Sequence, residues 1–98
     1  MTDNEDLEIN LFQLNGLFTE DQKRGFRFIL QKGVFCTTCK GPCEKGIQIE
    51  KTYITPMNDI LVKGTCKVCG GKVARVIEFG EDKAFSEKAD KFRKNIRD

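Results

Sequence analysis

The sequence predicts a small α+β protein in which a three-stranded antiparallel sheet is flanked by an N-terminal and a C-terminal α-helix. Two pairs of cysteines enclose a stretch whose apolar residues recur at the period of a β-strand. Apolar residues recur at the period of a helix on both sides of that stretch. The chain has 98 residues and 39% hydrophobic content, which suits one domain with a modest core. A core of this size commonly needs a further stabilising element, and the cysteines indicate what it is.

Four segments follow one another along the chain: an acidic and apolar arm (1–18), an α-helix (19–33), the sheet with its cysteines (34–79) and a basic amphipathic helix (80–98). The apolar end of the arm suits a helical turn or an extended segment that covers the core. The Asn15-Gly16 pair would equally close a small hairpin there. We favour the helical or extended arm.

A capping box predicts the start of the first helix. Thr19 can accept a hydrogen bond from the N–H of Gln22, and the Gln22 side chain can reach back to Thr19. Gly33 is the expected end of this helix, because glycine commonly follows the last helical residue. The apolar face, which we expect to pack on the sheet, consists of Phe26, Ile29 and Leu30.

After this helix the apolar residues recur at the period of strands. Val34-Phe35 lead as a short strand into the first cysteine pair, and residues 46–55 alternate as a long strand. Pro56 begins a turn, from which Ile60-Leu61-Val62 returns as a strand to the second pair. Residues 72–79 form the last strand, and together these segments predict an antiparallel sheet.

An amphipathic pattern predicts the last helix. Asp82 is its expected N-cap. Apolar side chains then recur at steps of four, three and four residues, at Phe85, Ala89, Phe92 and Ile96. This spacing places them on one face. The face either docks on the rest of the fold or forms a surface for a partner or a second copy of the chain.

The cysteine pairs predict a metal site. Cys36 and Cys39 form one pair, Cys66 and Cys69 form the other, and 26 residues separate the two pairs. Each pair can supply half of the tetrahedron of ligands that zinc prefers, and the chain has no histidine, so thiolates are the expected ligands. Glycines after each pair give the backbone room to turn. Four thiolates leave no position for water, which indicates a structural metal.

Other readings of the cysteines stay open at this stage. The pairs can form two disulfides, or one pair can be a redox motif, although neither pair lies in a βαβ pattern. The fifth cysteine, Cys43, follows Pro42, where we expect the chain to turn away from the first pair. We therefore interpret Cys43 as a spare, partly exposed thiol outside the ligand set.

The stretch Lys63-Gly64-Thr65-Cys66-Lys67-Val68-Cys69-Gly70-Gly71-Lys72 resembles a knuckle of the zinc-ribbon superfamily, and is similar to a small family of bacterial and plastid ribbons with the pattern K-G-x-C-x-x-C-G-x-K. The resemblance covers residues 34–79 and implies one structural zinc held by four cysteines. It also implies roles in transcription, translation, nucleic-acid handling or protein docking. Cys43 and the two flanking helices depart from the ribbon pattern. Rubredoxins carry two similar knuckles with iron, so an electron carrier is a further alternative, although rubredoxins tend to be acidic.

Charge is unevenly distributed along the chain. The net charge is +2, yet residues 1–21 hold six acids and no base, so residues 22–98 hold 17 bases against 9 acids. A basic body of this kind suits nucleic acid or another polyanion. It equally suits a solvated, lysine-rich surface with the acidic N-terminal arm folded near it. The candidate phosphate contacts lie close to the cysteines in sequence and are Lys40, Lys45, Lys67, Lys72 and Arg75.

The sequence thus predicts a non-enzymatic zinc protein that acts as a small nucleic-acid-binding adaptor, with a protein-interaction module, self-associating or not, as the alternative. It contains no phosphate-binding loop, Ser/His/Asp set or recognisable carboxylate pair, so we expect no enzymatic activity and no small-molecule substrate. The acidic N-terminus does not resemble a secretory signal, and no apolar stretch approaches the ~20 residues that span a bilayer. We expect a cytoplasmic protein that does not bind membranes.

Overall fold

The computed structural model describes the backbone of residues 6–97 and the side chains of residues 6–95. Within these residues the chain forms a small α+β fold with a mostly antiparallel sheet. The helices are α1 (Leu11–Leu17), α2 (Glu20–Lys32) and α3 (Lys83–Arg97). The strands are β1 (Leu7–Ile9), β2 (Phe35–Cys36), β3 (Gly41–Pro42), β4 (Ile47–Ile54), β5 (Ile60–Cys66) and β6 (Lys72–Ile77).

The main sheet has four strands in the order β1-β4-β5-β6, whereas the sequence predicted three. The additional strand is β1, which pairs antiparallel with β4 from Leu7 opposite Ile54 to Ile9 opposite Thr52. Ile9 is buried, and the Thr52 hydroxyl donates a hydrogen bond to the Ile9 carbonyl. Three residues of the arm are therefore extended. Their backbone groups form hydrogen bonds with the edge of β4, and the Ile9 side chain enters the core.

The rest of the arm is helical. Asn10 caps α1, since its side chain accepts a hydrogen bond from the N–H of Gln13 at 2.7 Å and Gln13 returns one by accepting from the N–H of Asn10 at 3.0 Å. The alternative hairpin at Asn15-Gly16 is not formed, because these residues lie inside α1. The arm thus contains both of the conformations that we favoured for it, extended first and helical second.

The capping box of α2 is confirmed. The Thr19 hydroxyl accepts from the N–H of Gln22 at 3.2 Å, and the Gln22 side chain accepts from the N–H of Thr19 at 2.9 Å. Phe26 and Leu30 are buried in the core, Ile29 is partly buried, and Gly33 ends the helix. The predicted apolar face of α2 is therefore the face that enters the core.

The apolar face of α3 also enters the core. Phe85 and Ala89 are fully buried, and Phe92 packs against the core while partly exposed. Phe85 lies among other aromatic rings, with its centroid 5.7 Å from Phe18 and 5.3 Å from Phe79. The prediction for the Ile96 side chain lies outside the described residues. This face of α3 is thus a packing surface at Phe85 and Ala89, and it is closed to a partner there.

One basic residue of α3, Arg93, is buried as well. The Arg93 guanidinium donates to the carbonyl of Thr55 at 2.7 Å and to the side chain of Asn58 at 3.0 Å. Asn58 has a left-handed backbone (φ 65°) and donates to the Asp90 carboxylate at 2.9 Å. This network fixes the β4–β5 turn against α3. In the part of the chain described, no helix combines the length and apolarity that a bilayer span requires.

Candidate metal centre

Two similar turns present the four cysteines. Strand β2 ends at Cys36, and the N–H of Lys40 donates to the Cys36 carbonyl at 2.8 Å. Strand β5 ends at Cys66, and the N–H of Gly70 donates to the Cys66 carbonyl at 2.8 Å. The two turns, which we call the first and second knuckle, therefore share one backbone geometry, with the second cysteine of each pair at the tip of its turn.

Each knuckle has a left-handed residue directly after its second cysteine. In the second knuckle this residue is Gly70 (φ 77°), as the sequence suggested. In the first knuckle it is Lys40 (φ 61°), while Gly41 lies in strand β3. Gly41 thus lies one position after the left-handed residue of the turn. Lys40 adopts this conformation instead, which is costly for a residue with a Cβ.

The four sulfur atoms lie at the separation that a tetrahedral metal requires. All four Sγ atoms are within 4.8 Å of one another. Across the knuckles, Cys36 Sγ is 3.5 Å from Cys69 Sγ and Cys39 Sγ is 3.9 Å from Cys66 Sγ. Metal–sulfur bonds of about 2.3 Å in a tetrahedron place sulfurs about 3.8 Å apart. All the cysteines are free thiols, so the cluster fits a four-thiolate metal site.

Backbone N–H groups stabilise thiolates at the first cysteine of each knuckle. The N–H of Cys39 points at Cys36 Sγ at 3.4 Å and lowers the pKa of the Cys36 thiol. The N–H groups of Cys69 and Val68 lower the pKa of Cys66 to about 6. In the cluster without metal, the hydrogen bond to Cys69 raises the pKa of Cys39 to about 12. The site therefore holds both thiolate and thiol, and a metal must displace protons to bind.

Cys43 is buried, with 2% of its surface exposed, which corrects its interpretation as a partly exposed thiol. The chain does not turn away after Pro42, because β2 and β3 pair as a small ribbon and the N–H of Cys43 donates to the Val34 carbonyl at 2.9 Å. Burial, followed by the neighbouring sulfur of Cys66, raises the pKa of Cys43 to about 12. Cys43 is thus a neutral thiol packed beside the cluster and does not belong to the set of four.

The structure brings two of the five candidate phosphate contacts together. Lys45 and Lys67 line one cleft of about 340 Å³ between α2 and the beginning of β4, which we call the α2 cleft. Lys40 lies in the first knuckle, and Lys72 lines a separate recess beside β5 and β6. Arg75 donates to the Gly33 carbonyl at 3.1 Å and so anchors the end of α2.

Sequence reasoning missed one basic residue of the α2 cleft. Arg27, which is exposed on α2, lines it together with Lys45 and Lys67. A local signal that could have found it is its position next to Phe26, a residue of the predicted apolar face. The cleft itself depends on which loop α2 packs beside, and that is a long-range property that no local pattern contains.

The assignment of the site rests on the geometry of this chain. The four cysteines form a cluster that can hold a metal ion, and the sheet and helices around it form one small α+β fold. Comparison with protein-family models, with curated proteins and with solved structures finds no match to the chain. The resemblance to zinc ribbons therefore stays a prediction.

Proposed function

We propose that the protein is a structural zinc protein that binds nucleic acid. The observation that carries the metal assignment is the approach of four Sγ atoms to within 4.8 Å of one another. Four thiolates complete a tetrahedron, so a metal held there has no open position for a substrate or water. Such a metal contributes to folding, and the activity of the protein then belongs to the surface that the metal helps to hold.

Zinc is the metal that we favour for this site. Thiolate ligands select soft or borderline metals, and a closed tetrahedron of sulfur atoms is typical of structural zinc. The N–H of Gly71 donates to Cys69 Sγ at 3.3 Å, and the N–H of Cys39 donates to Cys36 Sγ at 3.4 Å. Donors of this kind reduce the negative charge on the sulfurs of a four-thiolate site.

The excess of basic residues supports nucleic acid as the partner. Residues 22–98 hold 17 bases against 9 acids. Three ion pairs occur among the side chains of residues 6–95, and none of them involves the five candidate phosphate contacts predicted from the sequence. Lysine and arginine side chains that no carboxylate neutralises attract the phosphates of a nucleic acid, and release of counterions from the polymer then favours binding.

Two measurements test the proposal. Native mass spectrometry of protein purified without added metal should give one zinc per chain; iron would support an electron carrier instead, and a metal-free chain with two disulfides would refute the metal site. Fluorescence anisotropy with labelled oligonucleotides should show binding that weakens steeply between about 50 mM and 200 mM salt. Absence of binding at the lower salt concentration would refute the nucleic-acid part.

Exposed phenylalanines favour a second candidate function, which is protein docking. Phe12 is 87% exposed, Phe28 is 64% exposed and Phe35 is 60% exposed. Large apolar side chains in contact with water are typical of interaction surfaces when they cluster. Light scattering over a range of protein concentrations tests for self-association, and a monomer at every concentration would remove the self-associating form of this candidate.

A further inference from the structure

The α2 cleft has an apolar floor. Phe26 and Leu30 of α2 contribute to it from one side, and Ile47 and Ile49 of β4 contribute from the other. Leu11 of α1 lies at its margin and is exposed over 42% of its surface. The cleft is open to solvent, and its volume of about 340 Å³ is within the range of small-ligand sites. The cleft therefore offers a small apolar surface on which a flat apolar group can rest.

The rim of the α2 cleft is positively charged. Arg27, Lys45 and Lys67 line it, and no carboxylate among the described side chains does. Lys23 lines it too, but it already pairs with Glu20 at 3.2 Å. Glu44, which precedes Lys45, lines a different recess beside Cys39. A concave surface lined by charges of one sign concentrates its field and attracts counter-charged ligands.

The three remaining cations of the rim come from three separate parts of the fold. Arg27 is on α2, Lys45 follows Cys43, and Lys67 lies between two of the cluster cysteines. The N–H of Lys67 donates to the carbonyl of Gly46 at 3.1 Å, which holds the second knuckle against the loop of Lys45. Cations that line one cleft repel one another weakly in water, and an anion bound among them would remove that repulsion.

We propose that the α2 cleft is where the protein binds single-stranded nucleic acid, with a base on the apolar floor and the adjacent phosphates on Arg27, Lys45 and Lys67. The inference rests on the proposed function and locates nucleic-acid binding in the α2 cleft. A single strand offers an apolar face and phosphates together, which is the combination that this cleft matches. A duplex keeps its bases stacked inside and would leave the floor of the cleft in contact with water.

Two double variants with the same change in net charge test the assignment. Lys45→Gln with Lys67→Gln removes two cations from the cleft, and Lys88→Gln with Lys91→Gln removes two exposed cations from α3. The probe is a labelled oligothymidylate of about ten nucleotides, a length suited to small single-strand sites. Unchanged metal content and circular dichroism show that each variant is folded.

We expect the cleft variant to bind about tenfold more weakly. The slope of its log affinity against log salt concentration should be smaller by about 1.4, the change expected when two phosphate contacts to a single strand are lost. The control variant should change affinity less than about threefold. A sugar-phosphate strand of equal length without bases should bind more weakly to the wild type. Its slope of log affinity against log salt concentration should equal that of the oligothymidylate. A duplex of equal length should bind more weakly than the single strand at equal salt.

Specific results would overturn the inference while leaving the proposed function intact. Equal weakening in both double variants would mean that overall charge binds the strand. Equal affinity for the duplex, or for the strand without bases, would mean that the apolar floor takes no part. Binding of a mononucleotide or of an acidic peptide as tightly as the strand would assign the cleft to another ligand. If the wild type binds no oligonucleotide at low salt, the proposed function itself fails.

Discussion

Lys40 holds a backbone conformation that suits glycine. Its φ of 61° matches the φ of 77° at Gly70, the equivalent position in the second knuckle. We expect Lys40→Gly to raise the free energy of unfolding of the zinc-loaded protein by about 1 kcal/mol, because the left-handed cost disappears. Urea denaturation at a fixed zinc concentration measures the change.

Gly70→Ala is the matched control for Lys40→Gly, because it makes the opposite change at the equivalent position of the second knuckle. Among the described residues, no atom lies within 4 Å of a Cβ added there, so the substitution causes no clash. It should lower the free energy of unfolding by about 1 kcal/mol through the backbone alone. A neutral or destabilising Lys40→Gly would mean that the lysine side chain itself stabilises the first knuckle.

Cys43 lies beside the cluster but outside it, so its replacement should separate folding from metal binding. We expect Cys43→Ser to retain one metal per chain in native mass spectrometry, because the other four cysteines complete the tetrahedron. The buried hydroxyl should lower the free energy of unfolding by about 1–3 kcal/mol. Cys66→Ser should lose the metal, and loss of metal in Cys43→Ser would show that the set of four is wrong.

The pKa of Cys66 predicts how metal affinity depends on pH. Backbone N–H groups lower this pKa from the ordinary 9.0 to about 6, so in the metal-free fold the thiolate contributes stability above pH 9 that is lost as the pH falls through 6. A metal displaces a proton from Cys66 only below about pH 6. The logarithm of the metal affinity should therefore fall as the pH decreases. The slope of this fall should be larger by about one displaced proton below pH 6 than above it.

Competition against a chromophoric chelator over a series of pH values measures this slope. Cys66→Ser cannot serve as its control, since that variant lacks a ligand. Lys88→Gln changes an exposed charge on α3, the helix that packs on the β4–β5 turn, and should reproduce the wild-type curve. A straight line through pH 6 would contradict the assignment of a thiolate to Cys66.

At the scale of elements, some of the fold could be predicted from the sequence because its signals are local. The Thr19–Gln22 box set the start of α2, and the spacing of Phe85 and Ala89 gave the buried face of α3. The capping box of Asn10 is a local signal of the same kind, and it could have predicted the start of α1. Strand β1 has three residues, too few for a periodic pattern, and it exists because β4 offers it an edge.

The docking of α3 gives a prediction for the core. Phe85 is 1% exposed and contacts the rings of Phe18 and Phe79, so Phe85→Ala should lower the free energy of unfolding by about 3–5 kcal/mol. Phe28→Ala, at a position on α2 that is 64% exposed, should change it by less than about 0.5 kcal/mol. Thermal unfolding of the zinc-loaded proteins compares the two. Equal effects would mean that α3 does not pack as described.

At the scale of the whole molecule, the cluster and the core stabilise the same fold. Cys36, Cys43 and Cys66 belong to the buried core, so the metal site and the apolar interior are continuous. A ligand that binds only the folded state adds about 2.7 kcal/mol at a free concentration about one hundred times its Kd. The Tm should therefore rise with free zinc and fall on chelation, whereas magnesium, which prefers oxygen ligands, should leave it unchanged. A Tm that does not respond to zinc would contradict a structural metal.

The metal site and the α2 cleft differ in how far the sequence predicts them. The spacing of the cysteines is a local pattern that already indicates which side chains meet. Arg27, Lys45 and Lys67 are far apart in sequence and meet only because α2 packs beside the start of β4 and the second knuckle. No periodicity or spacing connects them, since their association is decided by tertiary packing.

The pairing of β1 with β4 has a consequence for synthesis on the ribosome. Leu7 pairs with Ile54 and Ile9 with Thr52, so β1 leaves the exit tunnel well before its partner and stays unpaired until β4 has followed it. Strands β4, β5 and β6 follow one another in sequence and can pair one after another as they emerge. Strand β1 can join the sheet only once β4 is present, and Leu14 and Leu17 of the following helix stay in contact with water until the core forms around them. A nascent chain of this protein thus keeps the apolar side chains of α1 without their packing partners until β4 has emerged.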